Sequence, residues 1–498
     1  MDNTASPVAL PPAWIRRKSV RALRRAHARH QREEGGLRRV LGFWSLVAIG
    51  IGCTIGAGIF VLPGVIAATK AGPGILLSFL LAGVACAIAA LCYAELAVII
   101  PASGSAYSYT YATLGELAAW LIGWNLLLEY GLSNSAVAAG WGGYLSQLLD
   151  SVDLQLPARL MYATGQTVPG TEDIAFLNLP AVLAIAIPTV LMLFGIRESA
   201  RFNNGMVSAK ILVLLMFAAL CAPSVHMENL HPFLPFGWQG VVSGAGVLFF
   251  LFVGFDAVST VAEECVDPQR DLPRAILFGL GLIAILYVGV TFVLLGNVPL
   301  PELAHLGEPL AIGLERSGHP TAAWVLSAVA VVGILSIILV GAIGQTRILF
   351  VMARDGLMPS FMGRVHARSG TPAASTVLLG VVTALMAGTV PLDALADLVS
   401  IGTLAAFSAV SLAVVALRAQ EPALERKFRA PGSPWLPILG IAINIWLMSA
   451  LSEAVWIRFF VWIVVGLVIY FAWGQRSAGM VFDATMEAEP PEPPPLVD

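Results

Sequence analysis

Ile51-Gly52-Cys53-Thr54-Ile55-Gly56-Ala57-Gly58-Ile59-Phe60 is a glycine-punctuated run inside an apolar segment. Glycine has no Cβ and lets the backbone leave a helix, which frees N–H and C=O groups that then need partners. At membrane depth such a break is tolerated only where it is buried in protein or lines a cavity. A second interrupted apolar run lies far downstream: Phe249-Phe250-Leu251-Phe252-Val253-Gly254-Phe255-Asp256-Ala257-Val258-Ser259-Thr260. Two such segments in corresponding positions of two halves of a chain point to a binding site near the bilayer midplane. The chemistry suits a small zwitterion, with donors at one break and acceptors at the other.

The rest of the chain agrees with a membrane setting. It has 498 residues, is 58% hydrophobic and only 12% charged, and has a mean hydropathy of +0.82. Soluble domains are about 25% charged, so a water-soluble fold is excluded. A spanning helix needs ~20 apolar residues. Twelve candidates fall near 42–65, 74–99, 116–147, 177–195, 205–223, 240–262, 274–296, 322–348, 373–391, 394–418, 434–453 and 456–474. The expected fold is an all-α membrane protein of twelve transmembrane helices. It comprises a five-plus-five inverted repeat (about 41–223 and 240–418) with broken helices 1 and 6, plus two extra helices at 434–474. The transporter domain as a whole is expected to span 41–474.

Basic residues set the orientation. Residues 1–40 hold ten of the 28 Lys and Arg, from Arg16 to Arg39. With that segment in the cytoplasm, Lys70, Arg159, Arg316 and Arg458 fall outside, Lys210 falls inside a span, and all the others fall in the cytoplasm. The positive-inside rule then places both termini in the cytoplasm. The basic stretch is expected to be a topology-setting flank, with an anionic-lipid site as the sharper reading. No secretory signal follows it. Residues 475–498, rich in Glu and Pro, read as a disordered tail. Cys53, Cys86, Cys92, Cys221 and Cys265 form neither a disulfide framework nor a metal-ligand spacing. Arg outnumbers Lys 24 to 4, as in GC-rich bacteria.

Several motifs, in order, resemble the amino acid–polyamine–organocation superfamily and, within it, the cationic amino acid transporter family. They are the first broken run; Cys92-Tyr93-Ala94-Glu95-Leu96 with Pro101-Ala102-Ser103-Gly104-Ser105-Ala106-Tyr107-Ser108-Tyr109; and Gly123-Trp124-Asn125-Leu126-Leu127-Leu128-Glu129-Tyr130. Val253 to Glu264, Pro268-Gln269-Arg270-Asp271-Leu272-Pro273, Gln345-Thr346-Arg347 and Met352 to Pro359 complete the set. The resemblance implies amino-acid transport in a bacterial inner membrane. It does not settle whether the substrate is neutral or cationic.

The breaks supply the candidate site. Unpaired N–H groups and the positive dipole end near Thr54, Ile55, Gly56, Ala57 and Gly58 suit a carboxylate. The resemblance places Thr54, Ala57 and Gly58 at carboxylate-binding positions. Carbonyls freed around Phe250, Leu251 and Val253 suit an ammonium, and Phe252 and Phe255 are candidates to close over the site. Asp256 either balances the ammonium, faces a basic side chain or is held by helix-end donors, because an uncompensated carboxylate at the midplane costs roughly 2.5–3.5 kcal/mol. Lys210 has no acidic neighbour in its own span, and burial disfavours its charged form, as suits a proton-exchanging group. The resemblance puts it against the first break near Gly52, where an ammonium replaces the sodium ion of related transporters. Snorkelling to the boundary is the plainer alternative. Glu129 is a selectivity candidate for a cationic side chain. Glu95 is expected to brace a loop, and Glu263 and Glu264 to act as gate or loop residues.

No nucleophile–base pair, phosphate loop, metal cluster or cofactor motif emerges, so no enzyme is expected, and no nucleic-acid partner. The expected function is secondary active amino acid transport, coupled to protons and surrounded by lipid. The alternatives are a uniporter or exchanger of Lys, Arg or ornithine, and a receptor that binds an amino acid without moving it.

Overall fold

A computed structural model describes residues 16–20, 39–150, 156–168, 173–303, 309–366, 369–390, 392–432, 434–449 and 453–479. The tail expected to be disordered from 475 is helical over 475–479, where Ala478 is 1% exposed, because the last helix continues past its apolar window; residues 480–498 and most of the basic flank, at 1–15 and 21–38, lie outside the described residues. Among those described, the chain is helical and contains no β-strand. The first apolar segment is two helices, α1 (Phe43–Thr54) and α2 (Ala57–Ile66). Then come α3 (Ile75–Ile99), a short α4 (Ala106–Thr113), the 35-residue α5 (Glu116–Asp150), α6 (Leu179–Leu193) and α7 (Ile196–Cys221). The second broken segment is α8 (Gly237–Phe252) and α9 (Ala257–Thr260). It leads into α10 (Pro268–Asn297), the short α11 (Leu300–Leu303) and α12 (Pro309–Arg316), and α13 (Pro320–Arg354). The last four are α14 (Ala373–Thr389), α15 (Leu392–Gln420), α16 (Trp435–Ser449) and α17 (Glu453–Ile469).

Six helices among the described residues are long and apolar enough to cross a membrane, and four shorter apolar helices lie beside them. Their burial separates inside from outside. In α13 72% of the most apolar window is buried, against 22% in the window that covers α17. α13 is therefore an interior helix. α17 turns Ile457, Phe460, Val461, Val464 and Val468 outward, an apolar face that only lipid solvates without cost.

The helices run longer than the apolar windows. α7 starts at Ile196 rather than 205, α10 at Pro268 rather than 274, and α13 ends at Arg354 rather than 348. Hydropathy marks the hydrocarbon, while hydrogen bonding continues the helix into polar surroundings. At 1.5 Å per residue, the 35 residues of α13 reach ~50 Å, well past a core of ~30 Å. One correction follows. Arg347, counted with the cytoplasmic residues from the sequence although the 322–348 window contains it, lies within α13, is 1% exposed and pairs with the buried Glu264. Lys210 is therefore not the only basic residue enclosed by helices. The short α4, α11 and α12 also lay below the hydropathy signal.

The two broken segments are tied together beside the start of α1. The N–H groups of Val40 and Leu41 donate to the Glu264 carbonyl at 3.0 Å, and Val266 N–H donates to the Leu41 carbonyl at 3.0 Å. Glu263 pairs with Arg354 at 2.8 and 2.9 Å and accepts from Ser103 N–H. Part of the basic flank also docks here. Lys18 Nζ donates to Asp355 Oδ1 at 2.6 Å, and Glu116 N–H donates to the Arg16 carbonyl at 2.9 Å. Val20 beside them is 1% exposed, so this stretch is a packed element as well as a charge-bearing flank. Glu95 is the expected brace. It accepts two bonds from Arg418 (2.9 and 2.5 Å) and one from Ala430 N–H (2.7 Å), pinning the 421–432 connection to α3.

Candidate functional site

The first break is two residues long. Ile55 N–H still donates to the Ile51 carbonyl at 2.8 Å, and then its ψ of 87° turns the chain out of the helix. Gly56 is extended (φ −102°, ψ −170°) and its N–H donates to the Thr54 carbonyl at 2.9 Å. The new helix begins at Ala57 with no side-chain cap. This narrows the expected carboxylate site. Thr54 is still helical, and its hydroxyl is used on the Gly50 carbonyl at 2.9 Å. The N–H groups left for a ligand by helix geometry are those of Ala57, Gly58 and Ile59. The side chain of Ala57 lies outside the described residues.

At the second break four residues, Val253 to Asp256, form turns between α8 and α9. Gly254 has φ +118°, a left-handed conformation that glycine adopts without a Cβ penalty. The contact also demands glycine, because a Cβ there would lie 2.9 Å from the backbone carbonyl carbon of Cys53. The two breaks therefore touch through backbone. Tyr287, on α10, joins them again. Its hydroxyl lies 3.0 Å from the Thr54 carbonyl and 3.2 Å from the Leu251 carbonyl, and one proton serves both.

Lys210 lies on α7, is 1% exposed and reaches the first break as the resemblance implied. Its Nζ donates to the Gly52 carbonyl at 3.3 Å and the Ile55 carbonyl at 2.8 Å. Its stem fits against Gly333 of α13, where a Cβ would come within 3.1 Å of the Lys210 Cγ. Snorkelling to the boundary is excluded by this geometry. No carboxylate pairs with Lys210 among the described residues; its partners are backbone carbonyls.

The acidic candidates sit close by on other helices. Asp256 is 2% exposed, and Tyr130 Oη donates to its Oδ2 at 2.8 Å. Glu129, the residue before Tyr130, accepts from Thr403 Oγ1 of α15 at 2.6 Å, while its Oε2 is buried without a hydrogen-bond partner. Phe252 and Phe255 do not stand free over the breaks. Phe252 packs on Phe79 and Tyr287, and Phe255 on Tyr93 and Phe407. Both belong to aromatic clusters that seat the second break. Phe250 lies in α8 with its side chain outside the described residues. Val253 is half-buried in the turn. Among the described residues no three His, Cys, Asp or Glu side chains converge.

Tyr287, Tyr130 and Thr403 escaped sequence reasoning. An aromatic or a threonine in an apolar helix is ordinary, and no spacing distinguishes one that meets a break 233 residues away, as Tyr287 does.

Similarity to known proteins agrees with this geometry. Residues 41–473 match the amino acid permease family. The chain is 45% identical over 464 residues to the branched-chain amino acid permease of Bacillus subtilis (strain 168), covering 93% of this chain and 98% of that protein. It is 43% identical over 448 residues to the methylthioribose transporter of the same organism, covering 90% and 96%. The vacuolar cationic amino acid transporter 4 of Arabidopsis thaliana is 38% identical over 392 residues, 78% of this chain and 64% of that one.

Proposed function

This chain belongs to the amino acid permease family of multi-pass membrane transporters, and on that footing we propose a proton-coupled symporter of neutral amino acids working by alternating access around the two breaks. The observation that carries the reading is Lys210, whose ammonium sits on the Gly52 and Ile55 carbonyls immediately before the free N–H groups of Ala57 and Gly58. A fixed cation there supplies the charge for which a sodium ion would otherwise be needed, and its deprotonation weakens its hold on the two carbonyls by removing the charge that strengthens those hydrogen bonds. The substrate carboxylate is assigned to the start of α2. Its ammonium is assigned to the end of α8, near the Leu251 carbonyl and Asp256. Apolar side chains at the breaks support a neutral substrate: Ile337 reaches within 3.2 Å of where a Gly56 Cβ would lie, and Leu251, at the second break, is buried.

The wider reading keeps twelve spans, the five-plus-five inverted repeat with two appended helices, a bacterial plasma membrane, and both termini in the cytoplasm. A potential of ~100 mV is worth ~2.3 kcal/mol per charge, roughly a fiftyfold accumulation of a neutral zwitterion carried with one proton. A second reading, transport of cationic amino acids, is favoured by the unpartnered Oε2 of Glu129.

Uptake into proteoliposomes tests both. The panel is leucine, isoleucine, valine, alanine, lysine and arginine, with methylthioribose included because of the relative that carries that name. Neutral amino acids should accumulate under an inward pH gradient, indifferent to replacing sodium with potassium or choline. A sodium requirement would remove the proposed role of Lys210. Uptake of lysine and arginine alone would establish the second reading, and uptake of methylthioribose alone would overturn both.

A further inference from the structure

Asn203 and Lys210 lie seven residues apart on α7, two helical turns, so they share one face. Opposite them is a stripe of the first broken segment made by Ala48, Gly52 and Ile55. Asn203 Nδ2 donates to the Ala48 carbonyl at 3.0 Å. Only the amide nitrogen has a proton to donate, so this acceptor decides which way the amide points. Its Oδ1 is thereby turned onto Gly52. A Cβ on Gly52 would collide with that oxygen and lie 3.1 Å from the Asn203 Cγ. Asn203 is 1% exposed, and its Oδ1 is buried with no hydrogen-bond partner.

An unpaired buried amide oxygen is costly, and an apolar side chain of the same size would fill the space without that cost. Packing alone does not account for an asparagine here. The same face of α7 also delivers Lys210 to Gly52 and Ile55, so three carbonyls of one short stretch, at 48, 52 and 55, are gripped by two side chains.

We propose that Asn203 is a positioning residue, a releasable latch that holds α1 against α7 so that the Gly52 and Ile55 carbonyls meet the Lys210 ammonium. This inference rests on the reading of Lys210 as the coupling group. Asn203 touches neither substrate nor transferred proton; it acts through α1. The hydrogen bond to Ala48 holds the helix, and the unsatisfied oxygen keeps the hold weak enough to let go. Gly52 is the counterpart that lets the amide approach.

Cys53 reports the latch, because it is half-buried whereas Cys86, Cys92, Cys221 and Cys265 are buried. The experiment follows alkylation of Cys53 by a water-soluble maleimide in the full-length purified protein, alongside uptake kinetics in proteoliposomes. Asn203→Ala and the near-isosteric Asn203→Leu should each alkylate about fivefold faster than wild type, the loss of one neutral hydrogen bond. Vmax per folded transporter should change by a similar factor, with KM within about twofold. Gly52→Ala should show the same gain by pushing on the amide. Gly52→Ala/Asn203→Ala should be no faster than Asn203→Ala alone, because the amide that the methyl strikes is gone. A wild-type alkylation rate in Asn203→Leu, or multiplying effects in the double variant, would overturn the latch. If Asn203→Ala yields no folded protein, the Leu variant still decides. Failure of the proposed function looks different: wild type would then take up none of the amino acids, while the alkylation comparison would still stand.

Discussion

The two helix breaks do the same topological job by different means. The first spans two residues, keeps negative φ throughout, and is held by a cation from α7. The second spans four residues, needs a positive φ at Gly254, and holds a carboxylate, Asp256, that accepts from Tyr130. Positive charge thus stands with the carbonyls of the first break and negative charge with the turn of the second. Under the proposed function this difference is what orients a zwitterion, with the open N–H groups of α2 and Lys210 assigned as the anion end and the Leu251 carbonyl and Asp256 assigned as the cation end. Tyr287 bridges the two and belongs to neither.

The largest effect should come from erasing what makes the second break possible. Gly254→Ala imposes a left-handed conformation on an alanine and drives its methyl into the Cys53 backbone. That backbone cannot yield without moving the first break. Transport should fall below detection, with less folded protein by size-exclusion chromatography. A well-expressed, active Gly254→Ala protein would mean that the breaks do not need to touch.

Gly58→Val attacks the anion end alone. Binding should vanish in a protein that still inserts into the membrane, because the branched side chain fills the approach to the α2 N–H groups. Wild-type affinity measured by scintillation proximity would move the carboxylate elsewhere.

Lys210→Met comes next. Methionine keeps much of the stem that packs on Gly333 and removes only the charge. The protein should fold, bind and exchange substrate, yet lose accumulation driven by a pH gradient. Its contrast is Arg347, whose removal strands the buried carboxylate of Glu264 and should cost about 3–5 kcal/mol of stability. Equal gradient-driven accumulation by wild type and Lys210→Met would reduce the lysine to a structural brace.

Tyr287→Phe should have a smaller effect, about a fivefold loss of Vmax, because one shared hydroxyl proton is removed and the ring contacts with Phe79 and Phe252 remain. An unchanged Vmax would mean that the breaks move independently. The smallest change is expected of Glu129→Gln, which preserves an acceptor for Thr403. Uptake of neutral amino acids should stay within about threefold of wild type, about 0.6 kcal/mol. A selective loss of lysine and arginine in competition assays would support the cationic reading.

Much of this was legible before any coordinate. Glycine spacing marked both breaks to within two residues, and Lys210 drew attention as a charge in an apolar run. Glu95 read as a brace, and it is one. Other readings went astray for a common reason. Thr54 looked like part of the anion site but spends its hydroxyl inside α1, and whether a backbone or side-chain donor is already used is settled by local geometry that composition does not encode. Phe252 and Phe255 looked like lids and are packed, because an aromatic in an apolar segment carries no sign of which neighbour it meets. Arg347 was counted with the cytoplasmic charges although the 322–348 window holds it, because its compensation by Glu264, 83 residues away, is a tertiary pairing that a charge count along the chain does not contain.

Alone, the amino-acid sequence determined that the chain lives in a membrane, where it breaks, and that Lys210, Glu129 and Asp256 sit where charges are costly. These are one-dimensional properties, set by composition and by the backbone freedom of glycine. Tertiary structure decided the partners. Lys210 meets carbonyls 155 and 158 residues away, Tyr287 bridges both breaks, and Asn203 presses on Gly52. Such pairings depend on the rotation and depth of each helix against its neighbours, which the packing of the whole bundle sets and no single segment contains.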